Sequence, residues 1–349
     1  MKHILSLLKP SAIAFAALVA TTACSNDDES DNIMDQDAIR FAPVAQNESR
    51  SEPITTNTLS DFHVYAFTDG KLYMENVEVV KNSSNVWTYS PVAHWPQNSV
   101  NFYAYAPGEW LTGIQTSSQS VSLTNDGTQD LIYAVTMNQT KGSSAVKLYF
   151  HHALARVQTK LLSSNTNLDV NVKNVTLQNI MSKAEFTFPQ STTSENGTSA
   201  GTWNNASTPI DYTLYQDATG LSLSTTATLA SNSNDGYMLP QDLAELELTS
   251  TGGTYSGSLI KVECVIRSTA TGDVLWPNAN TPAQQKLTAA DGSVTGLLYY
   301  PLSNTAADLT HWRNDTNYIY VIDIDEAEGL DAIEFDPEVK VYLEQEQQI

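Results

Sequence analysis

The strongest constraint on this chain is its rhythm: short runs of alternating apolar and polar residues, separated by pairs of turn-forming residues. The first such runs are "DFHVYAF" (61–67), "KLYMENVEVV" (71–80), "NVWTYS" (85–90), "SVNFYAYAP" (99–107) and "AVKLYF" (145–150). Later come "VNVKNVTLQNI" (170–180), "KAEFTFP" (183–189), "AELELTST" (244–251), "SLIKVECVIRS" (258–268), "GLLYYPL" (296–302) and "YIYVIDID" (318–325). A side-chain period of two is that of a β-strand, and the Asn-Ser, Asp-Gly, Gly-Gly and Thr-Gly pairs between the runs are turn chemistry. Long helical periodicity is absent. Only "HALARVQTKLL" (152–162) is ambiguous, and its position between strand-like runs favours a strand. Many short strands with regular turns predict an all-β fold of β-sandwich type. A length of 349 residues suits two such domains, with a boundary expected in "LLSSNTNLD" (161–169). The Ser/Thr/Asn/Gly tract at 190–209 reads as a long loop of the second domain.

Charge and cysteine content exclude several classes. The 17 Lys and Arg face 39 Asp and Glu, a net −22, so phosphate backbones would be repelled and no nucleic-acid partner is expected. Two cysteines, Cys24 and Cys264, cannot build a disulfide framework. Cys264 lies in an alternating run and reads as a buried, inert thiol. "GTSAG" (197–201) fits the pattern of a hydrolase nucleophile elbow at Ser199, but lacks the strand before and the helix after that the motif needs. The adjacent His151 and His152 point to opposite faces of a strand and cannot form a metal pair by themselves. "DIDEAEGLD" (323–331) does not match a calcium loop and reads as a turn with solvated acids. No P-loop, CxxC or HExxH occurs. No catalytic residue, metal site or cofactor is expected, and the chain does not read as an enzyme.

The amino end carries an address. Lys2, His3 and Lys9 precede an apolar run, Ser11 to Ala20, which is too short to span a bilayer, and small residues lead to Cys24. Residues 1–23 read as a secretory signal. The Ala23-Cys24 junction resembles the lipobox of bacterial lipoproteins, which implies cleavage by signal peptidase II between Ala23 and Cys24 and a lipid on the Cys24 sulfur. The alternative is an ordinary signal peptide with an incidental cysteine. The acidic "SNDDESDN" that follows reads as a flexible tether, and it resembles an export signal to the outer face of some Gram-negative outer membranes.

Two further segments are distinctive. In "IRFAPVAQNESRSEP" (39–53), a strand-like piece from Ile39 to Val44 leads into a polar stretch with Arg50-Ser51, either a linker arginine or a site for trypsin-like cleavage. At the carboxyl end, Ile333, Phe335, Pro337, Val339, Val341 and Leu343 share one face of an alternating run. Such a terminal strand can complete its own sheet or be donated to the open edge of a neighbour. Pro337 favours an edge position.

Taken together, "HWPQNSVNFYAYAP" (94–107), "TQDLIYA" (128–134), "VKLYFHHALARVQTKL" (146–161) and "NYIYVIDI" (317–324), in this order behind a lipobox, resemble the fimbrillin-like surface lipoproteins, relatives of the subunits of type V pili. The resemblance implies two tandem β-sandwich domains of transthyretin-like, Greek-key type. The expected division is a signal peptide (1–23), a tether and removable first-strand segment (24–50), an N-terminal sandwich (51–165) and a C-terminal sandwich (166–349). It also implies a pathway. A precursor anchored in the outer membrane through the Cys24 lipid is cut by an arginine-specific protease, here between Arg50 and Ser51. Loss of the first strand opens a groove that a strand from another fimbrial subunit fills, with Ile333, Phe335, Val339, Val341 and Leu343 as the donor face. The expected location is the surface-exposed outer membrane and the fimbrium. The rival reading is a non-polymerising surface lipoprotein that binds glycan or host protein through exposed aromatic residues such as a cluster of Trp side chains.

Overall fold

Backbone pairing and burial turn that rhythm into sheets. The computed structural model describes residues 37–45, 58–108, 114, 119–142, 144–194, 201–234, 236–249, 254–305, 308–325 and 340–343, all within one unit, Asp37–Ile349. Among them there is no α-helix, and the all-β expectation holds. The first strands are β1 (Phe41–Ala45), β2 (Asp61–Thr68), β3 (Lys71–Lys81), β4 (Trp87–Thr88), β5 (Val100–Ala106), β6 (Ser120–Thr124), β7 (Ile132–Gln139), β8 (Val146–His152) and β9 (Ala155–Leu162). Two long strands follow, β10 (Leu168–Thr187) and β11 (Thr202–Ser222). The remainder are β12 (Thr228–Leu229), β13 (Tyr237–Met238), β14 (Glu247–Thr249), β15 (Thr254–Ser256), β16 (Leu259–Ser268), β17 (Val274–Trp276), β18 (Lys286–Thr288), β19 (Val294–Pro301), β20 (Thr316–Asp323) and β21 (Lys340–Leu343).

The first sheet runs β1-β8-β7-β5-β2-β3-β4. The second runs β11-β10-β16-β19-β18, with β17 on β16 and β6 on β10. The third runs β12-β9-β20-β21, with β13 on β9, and β14 and β15 form a hairpin. One core lies between the second and third sheets, where Val170, Val262 and Leu298 meet Val157 and Tyr320. Strands β2, β5 and β7 of the first sheet are buried on both faces, whereas β3 and β4 are largely exposed. Tyr65, Tyr103 and Tyr133 pack with Val121 of β6, Phe186 of β10 and Phe188 just beyond its end. The alternate residues Phe62, Phe102 and Ala134 pack with Ile39 and Phe41.

Sheet membership crosses the boundary expected near residue 165 in both directions. β9 pairs in parallel with β20, from Ala155–Thr316 to Leu162–Asp323. The far end of β10 pairs with β6 from Lys183–Thr124 to Thr187–Ser120. The runs at 170–180 and 183–189 therefore belong to one strand of 20 residues, about 65 Å long at roughly 3.3 Å per residue. What hides this in sequence is a change of parity. The buried positions are Val170 and Val172, then Val175 and Leu177, then Ile180, Ala184 and Phe186. β10 carries an extra residue between Val172 and Asn174 against β16 and between Leu177 and Ile180 against β11, two of the shifts along its length. Each extra residue of a bulge moves the inward face from even to odd positions or back. Asn179 takes a φ of +60°, a left-handed conformation that asparagine tolerates.

The expected loop at 190–209 is corrected over its last part, because β11 starts at Thr202. Positions 204–211 are exposed on both sides of the strand, so no burial alternation marks them. Pairing to β10 defines them instead, down to Thr202–Thr187.

Phe186 is fully buried, with ring centroids 4.9 Å from Tyr133, 5.1 Å from Phe188 and 4.9 Å from Trp203. It joins the strand shared by both halves to the first sheet. Phe186→Ala is expected to lower unfolding free energy by about 3–5 kcal/mol, read as a lower urea midpoint. A change under about 0.5 kcal/mol would contradict its central place.

Candidate functional site at the first strand

β1 is held on two sides by different partners. Its pairing with β8 is parallel, in register from Phe41–Val146 through Ala42–Lys147, Pro43–Leu148 and Val44–Tyr149 to Ala45–Phe150. The Val146 N–H donates to the Arg40 carbonyl at 2.7 Å. Just upstream, Ile39 N–H donates to the Ala93 carbonyl and Trp95 N–H to the Asp37 carbonyl, both at 2.9 Å, around an antiparallel bridge between Ala38 and His94. The Tyr89 hydroxyl donates to the Ile39 carbonyl at 2.7 Å. Lys141 pairs with the Asp37 carboxylate. Both side chains are more than half exposed, so that pair contributes little stability.

These bonds explain why a proline sits in the strand. The Arg40 carbonyl faces β8, whereas Ile39 and Asp37 face residues 93–95. Even-numbered residues of β1 thus address β8 and odd-numbered ones the other side. Pro43 is odd, so its missing N–H costs no bond to β8.

Two side chains carry the hydrophobic attachment. Ile39 is 1% exposed and Phe41 5%, while Arg40 is exposed. The Phe41 ring meets Phe62 at 6.1 Å and Phe102 at 5.5 Å, both edge-on, and Tyr89 at 5.6 Å. Val146, Leu148 and Phe150 of β8 point into the same core. Without residues 37–45 the slot would present the apolar wall of Phe62, Phe102 and Leu148, together with the unpaired edge of β8. Both would be costly to leave in water.

The other residues singled out in sequence fall elsewhere. Ala23, Cys24, Arg50, Ser51, Ser199, Ile333, Phe335, Pro337 and Val339 lie outside the described residues. The backbone of Val341 and Leu343 is described: it pairs with Tyr320 and Tyr318 at the edge of β20. His151 Nε2 donates to the Ser194 carbonyl at 3.1 Å, and His152 Nδ1 donates to Asp130 at 2.5 Å, so the two histidines serve separate contacts. Asp323 accepts from Ser164 N–H at 2.9 Å and the Asp325 carbonyl accepts from Asn165 at 3.0 Å, a structural tie between loops. Among the described residues no group of three or more His, Cys, Asp or Glu is arranged to hold a metal. Trp276 and Trp312 are buried, and Trp87, Trp95 and Trp203 pack against the cores, so the five described tryptophans form no exposed aromatic face. Sequence reading missed the wall at 93–95, since it acts through backbone bonds in a stretch, "AHW", without alternation.

A model of the fimbrillin-like family matches residues 49–340. The chain belongs to the fimbrillin-like family. Among solved structures, a fimbrial protein from Bacteroides vulgatus is similar at 15% identity, over 88% of this chain and 98% of that one, with a TM-score of 0.51. Candidate cell adhesion proteins from Bacteroides uniformis and Bacteroides ovatus match at 15% and 13% identity. They cover 88% of this chain in each case and 97% and 96% of their own, with TM-scores of 0.48 and 0.45. No curated protein matches in sequence. In fimbrillin-like terms the matched span begins after β1 and ends at the first residue of β21.

Phe41→Ala in the uncut chain is expected to cost about 3–5 kcal/mol in urea unfolding, whereas Arg40→Ala, on an exposed side chain, changes it by under about 0.5 kcal/mol. Burial, reinforced by the Glu263 carboxylate, pushes the Cys264 thiol up to about 12. At pH 8 a maleimide should therefore leave Cys264 unmodified in the native protein and label it in urea. Native labelling at the denatured rate would contradict the burial.

Proposed function

We propose that this fimbrillin-like chain is a structural or adhesive subunit of a surface fimbria, exported as a lipoprotein precursor and activated by strand exchange. Cys24 carries the lipid that anchors the precursor in the outer membrane, after cleavage between Ala23 and Cys24. Cleavage between Arg50 and Ser51 then frees the mature subunit. The observation that carries this reading is the attachment of β1. With the residue two before it, β1 fills its slot with two buried side chains, Ile39 and Phe41, and its covalent link to β2 runs through the segment that contains Arg50.

While the chain is intact, β1 competes for the slot at the high effective concentration of an intramolecular strand. Once Arg50 is cut, residues 24–50 are a dissociable peptide and that advantage is lost. A strand from another subunit can then satisfy the β8 edge and the exposed apolar wall together. The carboxyl-terminal face of Ile333, Phe335, Val339, Val341 and Leu343 supplies it. The four residues of β21 sit at a sheet edge, an arrangement from which a terminal strand is released at small cost.

Treatment of the purified precursor with an arginine-specific protease should yield an amino terminus at Ser51 and convert monomers to oligomers, read by mass spectrometry and light scattering. Arg50→Ala should stay uncut there and monomeric. A chain cut at Arg50 that remains monomeric with its 24–50 peptide bound would sink the polymerising role. In cells, Cys24→Ala should abolish incorporation of labelled fatty acid, and a variant still labelled would remove Cys24 from its assigned place.

A further inference from the structure

The first strand has a near-copy at the other end of the chain. Residues 37–43 read Asp-Ala-Ile-Arg-Phe-Ala-Pro, and residues 331–337 read Asp-Ala-Ile-Glu-Phe-Asp-Pro. Aspartate, alanine, isoleucine, phenylalanine and proline recur at matching positions. In the first copy each of these has a defined task. Ile39 and Phe41 are the buried plugs, the Asp37 carboxylate pairs with Lys141, Ala38 bridges to His94, and Pro43 sits where no N–H is needed. The two positions that differ are Arg40, which is exposed, and Ala42, which is half-buried.

We infer that residues 331–339 of one copy occupy the β1 slot of a second copy, parallel to its β8 and residue for residue. Ile333 takes the place of Ile39, Phe335 that of Phe41 and Pro337 that of Pro43. The partner is another molecule of this same chain. This rests on the strand-exchange reading above and adds direction, register and self-compatibility to it. The match is confined to what the slot reads: a proline at any even position of the strand would remove a bond to β8, and a one-residue slip would turn both plugs to the outside.

One of the two differences favours the incoming strand. Ala42 stands opposite the exposed Lys147 in the β1–β8 register, and Asp336 would bring a carboxylate to that ammonium. Opposite charges on neighbouring strands attract, where the alanine of β1 offers nothing. Asp331 would inherit the Lys141 pair. The strand that leaves and the strand that arrives thus share their buried face, and the arriving one adds a charge pair.

The test is cross-linking of the chain cut at Arg50. A D336C/K147C double variant should give a disulfide-linked ladder on mild oxidation, since matched partners across a strand pair lie within disulfide reach. D336C/Y149C, two residues further along the same face of β8, should give little. Cys264 is fully buried and Cys24 leaves with the cut peptide, so neither competes. A ladder through position 149 in place of 147 overturns the register. Oligomers that form without either link overturn the inference and leave the fimbrial reading standing, whereas no oligomers at all overturn both. Independently of variant folding, a synthetic peptide of residues 331–343 should bind the cut protein and be displaced by a peptide of residues 37–50. The same peptide with Phe335→Ala should bind at least about tenfold more weakly. Equal binding by the two peptides overturns the inference.

Discussion

Strands β2, β5 and β7 bury both of their faces, and the rest of the molecule is arranged to cover them. Odd residues such as Tyr65, Tyr103 and Tyr133 enter one core, and even residues such as Phe62, Phe102 and Ile132 enter the other. Sheet register is fixed most firmly where a one-residue slip would exchange two differently shaped faces. Here the exchange would drive tyrosine rings into a space packed for Ala66, Ala104 and Ala134. The tyrosine face is covered by β6 and the end of β10, which are integral to the second sheet. The other face is closed in part by Ile39 and Phe41, from a strand at the very edge of its sheet. One cover belongs to the second sheet, and the other comes from the edge strand of the first.

The built-in cover depends on β10 and β11. A 20-residue strand whose first part lines one core and whose last part lines another makes the two halves share a backbone. Its bulges keep the same face inward along its length at the cost of irregular pairing. A load applied to one half then passes along a continuous hydrogen-bonded ladder rather than across a linker.

Most strands were legible in sequence because they alternate, and the all-β class followed from them. The segment Ile39–Val44 was legible as a strand, although the structure moves its start to Phe41 because residues 37–39 turn to the 93–95 wall. What was not legible is instructive. The unity of β10 was hidden by parity changes around Lys173 and Asn179, since a periodicity reading treats a change of phase as an end. The first half of β11 was hidden because an edge strand with both faces in water has no reason to alternate. The parallel pairing of β1 with β8 joins residues a hundred positions apart through backbone groups, which no local pattern encodes. For the same reason the local pattern marks only a strand and a cleavage context, and the groove entered through the family resemblance alone.

An exposed sheet edge invites pairing with another chain, and the free edge of β11 resists it by backbone means. Asn205 and Thr208 take φ of +57° and +59°, Pro209 lacks a donor, and Asp211 is exposed. These features break any flat run of free N–H and C=O groups along its exposed stretch. At the other end of the second sheet, β18 is short and starts with Lys286. The net charge of −22 adds a general repulsion between copies. Association must therefore be specific enough to overcome that repulsion, and the sites best placed to do so combine buried apolar plugs with one of the few lysines. The edge at β1 has both, since the buried Ile39 and Phe41 lie beside the exposed Lys147, the register partner of Ala42.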